Sequence, residues 1–456
     1  MFTTTIVAST ALSRWDVKSV LSKNWEGSKE AQRPIGRFVR RRREENIDAN
    51  GVRYGSIHFD GSVSLRAEGT KIAGKTWIAR ADDLVFSKID IRNGAIAVIP
   101  KEFESIAFSS EYPIYDVHVS GGFLPEFLQI LCRTKIFRSQ VEALAVGHSG
   151  RRRVTPESFE DLLIPVVGKS TQRRIVDQYR RQLDVAEQLI VDAVDTEGLT
   201  VRAFMDALGL VYRPIEHGRK FVAVESGSLY RWTFRSAMSI LQGGSALADG
   251  RYRSAPLGSG DLSVLKRGVS KSPRNRPGDN ARPYIRVANI QKWGLDLSDV
   301  KEIDVPPSSL KSLRINAGDI LICRNNSMEL VGKAALWEGQ IEDCVHDDHV
   351  FRLALNLEEL HPEYVNAFLA TPLVRAWFQG RAQMTTNLAG ITGDAVVDMP
   401  IPLPPIRTQE NLGREFRDGL MKAHSQRMDA TKLVEQALSQ AELEIAAAHA
   451  DGRVDF

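Results

Sequence analysis

Cysteine is scarce in this chain. Three thiols, Cys132, Cys323 and Cys344, stand in 456 residues, too far apart for a zinc-ligand spacing or a disulfide framework. A reducing cytoplasm is the expected compartment. No apolar run approaches the roughly eighteen residues of a membrane helix, and Met1 to Leu12 lacks the basic stretch of a secretory signal. Neither export nor membrane insertion is expected. An excess of charge is missing too: 60 Lys and Arg oppose 57 Asp and Glu, a net +3. A nucleic-acid partner must therefore be argued from where the basic residues cluster.

Signatures of catalysis are equally sparse. There is no Walker-type phosphate loop, and the lone Gly-x-Gly at Gly258 and Gly260 reads as a turn. No Asn-Pro-Pro-Tyr or Asp-Pro-Pro-Tyr motif is present, with which an amino-methylating enzyme holds a flipped base. His346, Asp347, Asp348 and His349 could ligate a metal on paper. The matching stretch of the other half, Ser109 to Glu111, has no histidine, and the start of an exposed strand explains the run more cheaply. No catalytic residue, metal or cofactor is assigned to this chain.

What the sequence does contain is itself, twice. Leu12 to Ser19 recurs as Leu229 to Ser236, with Trp15 matching Trp232, and Pro34-Ile-Gly recurs as Pro256-Leu-Gly. Asp83 to Lys88 matches Asp319 to Arg324, an acidic turn residue, an apolar strand and a terminal cation. From Pro125 to Gln172 the offset is a constant 237, and the identical positions include Pro125, Glu126, Thr134, Arg138, Thr155, Asp161, Ile164, Pro165, Thr171 and Gln172. Two copies are too few for a solenoid, so a tandem pair related by a pseudo-twofold is expected.

Each copy opens with short β-type runs, such as Gly55 to Phe59, Ala95 to Ile99 and Tyr284 to Ala288. Helix starts follow at Leu124 and His361, with proline at a tolerated first-turn position. Each copy closes in a long helix that Thr171 or Thr408 is placed to cap. Val176, Tyr179, Leu183, Ala186, Ile190 and Ala193 recur at steps of three and four, as do Leu412, Phe416, Leu420 and Ala423, then Ala430, Val434, Ala437 and Ala441. The two helices are natural mates, with Asp195 to Gly198 expected to break or kink the first. The fold class is thus α+β: two similar domains in tandem, separated by long helices that pair as an antiparallel coiled coil. Expected boundaries are 1–167 and 213–405 for the domains, and 168–212 and 406–456 for the helical spacers.

Basic residues gather in corresponding loops. The first copy has Arg37, Arg40, Arg41, Arg42 and Arg43, then Lys88 and Arg92, then His148 with Arg151, Arg152 and Arg153. The second has Lys266, Arg267, Lys271, Arg274, Arg276, Arg282, Arg286 and Lys292. Arginine bonds phosphate or the O6 and N7 edge of guanine, and Asn or Gln pairs with adenine. The second copy offers both types, with Asn289, Gln291, Arg324, Asn325 and Asn326, and with Thr385, Thr386 and Asn387 where the first copy has Gly147 to Gly150. The residues expected at double-stranded DNA are Arg40, Arg42, Lys88, Arg92, His148, Arg151, Arg152, Arg153, Lys271, Arg274, Arg276, Arg286, Asn289, Arg324, Asn325, Asn326, Thr385, Thr386 and Asn387. On the helices, Tyr179, Leu183, Ile190, Phe416, Leu420 and Val434 are expected at partner-binding faces.

With Arg282 to Ile290, Ala317 to Arg324, Thr385 to Ile391, Ile401 to Ile406 and Gln409, the chain resembles the specificity subunit of a type I restriction-modification enzyme. The first half departs from the pattern, with Gly147 to Arg153 replacing the Thr-Thr-Asn loop and Val166 to Gly168 replacing Leu403 to Pro405. The resemblance implies that each domain is a target recognition domain reading one half of a bipartite site. It also implies that the helices dock two adenine-methylating subunits, that a translocating nuclease subunit joins for cleavage, and that S-adenosylmethionine belongs to the methylating partners. A helix from Thr171 to Asp195 would be about 37 Å long, close to one turn of B-DNA, and so fit to act as a ruler. Two other readings stay open: a stand-alone sequence-specific defence or regulatory protein without methylation partners, and an enzyme whose nuclease or hydrolase site carries no familiar motif.

Overall fold

The computed structural model describes residues 25, 32–46, 52–70, 72–117, 122–144, 153–213, 234–242, 246–270, 272, 276–385 and 388–450. The chain divides into two compact units, Met1–Gln188 with Asp429–Phe456, and Leu189–Met428. The repeated segments Leu12 to Ser19 and Leu229 to Thr233 lie outside the described residues.

In the first unit the strands are β1 (Gln32–Pro34), β2 (Val39–Arg42), β3 (Gly55–Ile57), β4 (Val63–Leu65), β5 (Thr76–Arg80), β6 (Leu84–Phe86), β7 (Ile96–Val98), β8 (Ser105–Ser109), β9 (Ile114–Val117) and β10 (Leu163–Pro165). The helices are α1 (Pro125–Arg133), α2 (Lys135–Leu144), α3 (Pro156–Glu160) and the first half of α4 (Lys169–Leu208). A four-stranded antiparallel sheet runs in the order β2-β9-β6-β7. Its strand β6 is buried on both faces, because side chains alternate across a strand. Leu84 and Phe86 join the core beneath the helices, and Val85 joins a second core with Ile57, Ile106 and Phe108.

The second unit repeats the plan. After α5 (Phe234–Leu241) come β11 (Ser254–Pro256), β12 (Ser263–Arg267), β13 (Ala281–Ile285), β14 (Lys301–Asp304), α6 (Pro307–Leu313), β15 (Ile320–Cys323), β16 (Asn325–Asn326), β17 (Ala334–Leu336), β18 (Val345–His346) and β19 (Val350–Leu355). Then follow α7 (Pro362–Leu369), α8 (Pro372–Arg381), β20 (Gln383–Met384), β21 (Ala389–Gly390), α9 (Gly393–Val397), β22 (Pro400–Pro402) and α10 (Ile406–Ala450). The sheet β12-β19-β15-β17 matches the order of the first unit strand for strand. Ile320 and Ile322 again face the helical core, while Leu321 and Cys323 face a second one.

The duplication reaches individual hydrogen bonds. In each unit the first strand pairs with the last before the long helix, Pro34 opposite Leu163 and Pro256 opposite Pro400. The proline-started helices fall where expected, α1 and α7 both carrying proline as first residue. Thr134 and Thr371 each donate to the carbonyl three residues back and cap the next helix. Glu126 binds Arg180 in one unit, and Glu363 binds Arg417 in the other.

The long helices do not start as the sequence suggests. Thr171 and Thr408 are the third residues of α4 and α10, not their caps, because Gly168 and Pro405 already accept the amides of Gln172 and Gln409. The next residue holds each helix base instead. Gln172 is fully buried; its Oε1 accepts from the Leu124 amide and its Nε2 donates to the carbonyls of Gly122 and Val167. Gln409 does the same 237 residues on, with the His361 amide and the carbonyls of Glu359 and Pro404.

Nor does Asp195 to Gly198 break the first helix: α4 runs unbroken through Gly198. A mid-helix glycine costs only about 1 kcal/mol, and Glu197 is held by Arg427 at 2.6 Å and Lys292 at 3.3 Å. Within each unit α4 and α10 run antiparallel, Arg174 meeting Glu444 in one, and Phe204 meeting Phe416 with ring centroids 5.1 Å apart in the other. On α10 the buried seam is Gln409, Phe416, Ala423, Ala430 and Ala437, seven residues apart, the repeat of a coiled coil. Ile190, expected in the seam of α4, is 43% exposed, while Ala186 and Ala193 are buried. Close approach also explains Gly419: a Cβ there would lie 2.1 Å from Thr200 Oγ1.

Replacing Gln409 by alanine removes the partner of one part-buried amide and two carbonyls, and should cost about 2 kcal/mol. Thr408→Ala, away from any cap, should cost less than about 0.5 kcal/mol. Urea unfolding of the two variants measures the difference, and equal losses would contradict this assignment of the helix base.

Candidate nucleic-acid interface

The candidate interface grows from the far end of the central strand in each unit. At the near end, Asp83 and Asp319 accept the amides of Arg80 and Asn316 at 2.8 and 2.7 Å, closing the turn into the strand. Asp82 and Gly318 just before them take the left-handed conformation, φ 67° and 91°. Arg42 grips buried Asp83 with two nitrogens, and Arg352 lies 3.1 Å from Asp319. Burial pushes both carboxyl pKa values up, and the neighbouring amides and arginines oppose that push.

At the far end stand the two cations noticed in the sequence, Lys88 and Arg324. Their backbone amides donate to Glu111 and His349, and their carbonyls accept from Val154 and Ile391. Their side chains donate to the carbonyls of Ser110 and Asp348, at 2.7 and 3.3 Å. Lysine in one copy and arginine in the other thus sit in the same cage of neighbours. Each cation thus joins its strand to the segment that carries Val154 or Ile391.

In the second unit this end opens into a concavity of about 290 Å³ lined by Arg286, Val287, Ala288, Asn325, Asn326, Asp347, His349 and Leu388. Three residues chosen from sequence, Arg286, Asn325 and Asn326, are brought together here. Arg286 donates to the carbonyl and carboxylate of Asp299. His349 Nδ1 donates to Asn325 Oδ1 at 3.2 Å, and Asn326 Oδ1 accepts from the Ser327 amide. The guanidinium of Arg324 lies 5.8 Å from the Phe351 ring centroid.

Sequence reasoning passed over His349 because its run was weighed as metal ligands or as the start of an exposed strand. Donor atoms of Asp347, Asp348 and His349 lie within 4.8 Å of one another, and each carboxylate is already held within the chain, Asp347 by the His349 amide and Asp348 by Ser270. His346 belongs to the interior. Its Nδ1 donates to the Val350 carbonyl, and burial lowers its pKa from 6.5 to about 4, so it stays neutral at pH 7.

Two expected DNA contacts need correction. Asn289 is buried, with its Oδ1 accepting the Arg286 amide and its Nδ2 donating to the carbonyls of Asp296 and Asp299. It closes its own turn and has no face for a base. Arg42 is committed to Asp83 and borders Glu44 and Asp116.

The remaining basic positions are more open. Arg40 pairs with Asp116 at 3.3 Å and Arg153 with Glu111 at 3.4 Å, both guanidinium groups more than half exposed. Arg92 lies half-buried in the turn after β6, its carbonyl accepting from Arg138, and Arg276 is exposed before β13. Thr385 donates its hydroxyl to the Leu388 carbonyl. His148, Arg151, Arg152, Lys271, Arg274, Thr386 and Asn387 lie outside the described residues.

On the helices, Phe416 is buried in the core of its unit and cannot serve a partner, and Leu420 packs against that core. Tyr179, Leu183 and Val434 are half-buried. The exposed large apolar side chains of α4 and α10 are Val185, Ile190, Val191, Val194, Leu199, Ile406, Met421, Met428 and Leu443. Among the described residues no helix is long and apolar enough to cross a membrane.

These placements predict different outcomes for Asn289 and Arg324. Asn289→Ala should lower stability by about 2 kcal/mol, the cost of stranded buried groups, while leaving DNA affinity of the folded fraction unchanged. Arg324→Ala should weaken DNA binding and reduce the slope of log K against log salt by about 1. Salt titrations with matched unfolding curves check both, and an unchanged slope for Arg324→Ala would remove it from the interface.

The geometry can be set beside known proteins. No family model matches the chain. It is 21% identical over 299 residues to the type I restriction enzyme EcoKI specificity subunit of Escherichia coli K12, covering 65% of this chain and 58% of that protein. It is 26% identical over 159 residues to the putative type I restriction enzyme MjaX specificity subunit of Methanocaldococcus jannaschii, covering 34% of this chain and 37% of that protein. The matched segments therefore span less than two thirds of either relative. A solved structure that describes complex assembly and conformational transition of a type I R-M system contains a chain matching at TM-score 0.52 and 15% identity, covering 92% of this chain and 97% of that one. The curated relatives of this duplicated α+β chain are thus specificity subunits of type I restriction enzymes, and its fold is shared with a chain of a type I R-M system.

Proposed function

We propose that this chain is the non-catalytic DNA sequence-recognition subunit of a type I restriction-modification complex. Each unit reads one half of a bipartite target in double-stranded DNA. One observation carries this reading: the strand-end cations Lys88 and Arg324 occupy the same hydrogen-bond cage in two units of equal strand order. A single copy of such a site would suit any anion. Two copies in one polypeptide suit a ligand that repeats its backbone chemistry along its length, and duplex DNA does.

The naming of the relatives supports the restriction setting and the division of labour. In that setting the helices dock two adenine-methyltransferase subunits, and a restriction and translocase subunit joins them for cleavage. S-adenosylmethionine is held by the methylating partners, and the complex works in the cytoplasm. Val191, Val194, Met421 and Met428 support docking on α4 and α10, since apolar side chains left in water on a helix favour a covering partner.

Coexpression with an adenine methyltransferase from the same host genome tests this directly. The expected result is a stable complex that places new methyl-adenines only in a bipartite motif, with no modification or cleavage by the chain alone. A chain that selects a bipartite site yet always purifies alone would be a stand-alone binder, and one that cuts DNA unaided would be an enzyme.

A further inference from the structure

The two reading ends share a frame but differ in what they present beside it. Glu111 and His349 are the same residue in the two copies, since each carbonyl accepts the amide of the strand-end cation. Each side chain has a polar companion on a neighbouring segment, and these come from different places; His349 Nε2 also lies 3.8 Å from the Asp348 carboxylate. In the first unit the companion is Arg153, one residue before Val154, 3.4 Å from the Glu111 carboxylate. In the second it is Asn325, one residue after the cation, 3.2 Å from His349.

The position matching Arg153 at the constant offset of 237 is Gly390. A Cβ on Gly390 would lie 2.7 Å from Asn325 Nδ2, so the amide of Asn325 lies where a side chain at 390 would begin. An arginine at 390 would therefore require the Asn325 amide to leave the place it holds beside the cation. The copies have made opposite choices for one place beside the strand end.

We propose that these two companion pairs set which base pair each unit reads: Glu111 with Arg153 in the first, and Asn325 oriented by His349 in the second. This rests on the DNA-recognition reading above and deepens it. The first pair offers a carboxylate acceptor and a guanidinium donor side by side. A carboxylate accepts from cytosine N4, and a guanidinium donates to guanine O6 and N7, so the pair is complementary to G·C. The second pair offers an amide. His349 takes one lone pair of Asn325 Oδ1, leaving the other lone pair and the Nδ2 hydrogens for adenine N6 and N7. Gly390 is a positioning residue, keeping open the space in which the amide lies.

Selection from a randomised duplex library with the full-length chain tests the proposal, using E111Q and N325D as near-isosteric changes at part-exposed positions and G390A as the positioning change. The wild-type chain should return a bipartite motif. E111Q should alter one G·C position in one half only. N325D and G390A should alter one and the same A·T position in the other half. Each should bind the wild-type motif about ten- to hundredfold more weakly, with thermal unfolding unchanged for E111Q and N325D. Wild-type binding without any motif would overturn the recognition reading itself. A clear wild-type motif that E111Q and N325D both leave unchanged, or weaken evenly across both halves, would overturn only the assignment of these pairs.

Discussion

A buried glutamine at the base of each long helix fixes how that helix leaves its module. Gln172 and Gln409 each satisfy one amide and two carbonyls that belong to the loop before the module's paired helices and to the turn before the long helix. A buried polar group left unmet costs about 1 to 3 kcal/mol, so the side chain holds three backbone strands in one arrangement. Helix, turn and module in each unit then behave as one piece. The ion pairs of Glu126 with Arg180 and Glu363 with Arg417 reinforce the same junction from outside.

Once that junction is rigid, the central strand has a fixed direction. Aspartate opens the strand, apolar side chains bury it on both faces, and a cation closes it at the exposed end. The fully buried middle explains why Leu84 to Phe86 and Ile320 to Cys323 are apolar throughout. It also explains why the polar variation between copies collects at the strand's far end, where Glu111 and Arg153 face His349 and Asn325 as alternatives. Packing tolerates little change in the interior, while the rim is free to differ, as the proposed reading of two unlike half-sites requires.

Much of this was legible in the sequence, because duplication is a non-local signal that needs no structure to see. The constant offset from Pro125 to Gln172 marked the proline-started helices and the identities of Thr134 with Thr371 and of Gln172 with Gln409. The meaning of that last identity was not visible. Capping propensity is local and favoured Thr171 and Thr408, whereas the glutamines act on backbone 48 to 50 residues away. Asn289 was misread for a related reason: an asparagine beside arginines suggests a base contact, but its amide closes its own turn, a competition short polar side chains often win. Gly198 suggested a break because its cost is local, while the ion pairs that hold α4 through it come from Lys292 and Arg427. His349 entered view only when the strands aligned it with Glu111.

The central claim is that one polypeptide engages two separated stretches of duplex with equivalent modules. Hydroxyl-radical footprinting of the bound chain on its selected site measures this most directly. The account predicts two protected segments flanking an unprotected spacer of constant length, with both segments lost together as salt rises. A single continuous footprint, or protection of one segment that persists when the other module's cation is removed and never extends further on the intact chain, would contradict it.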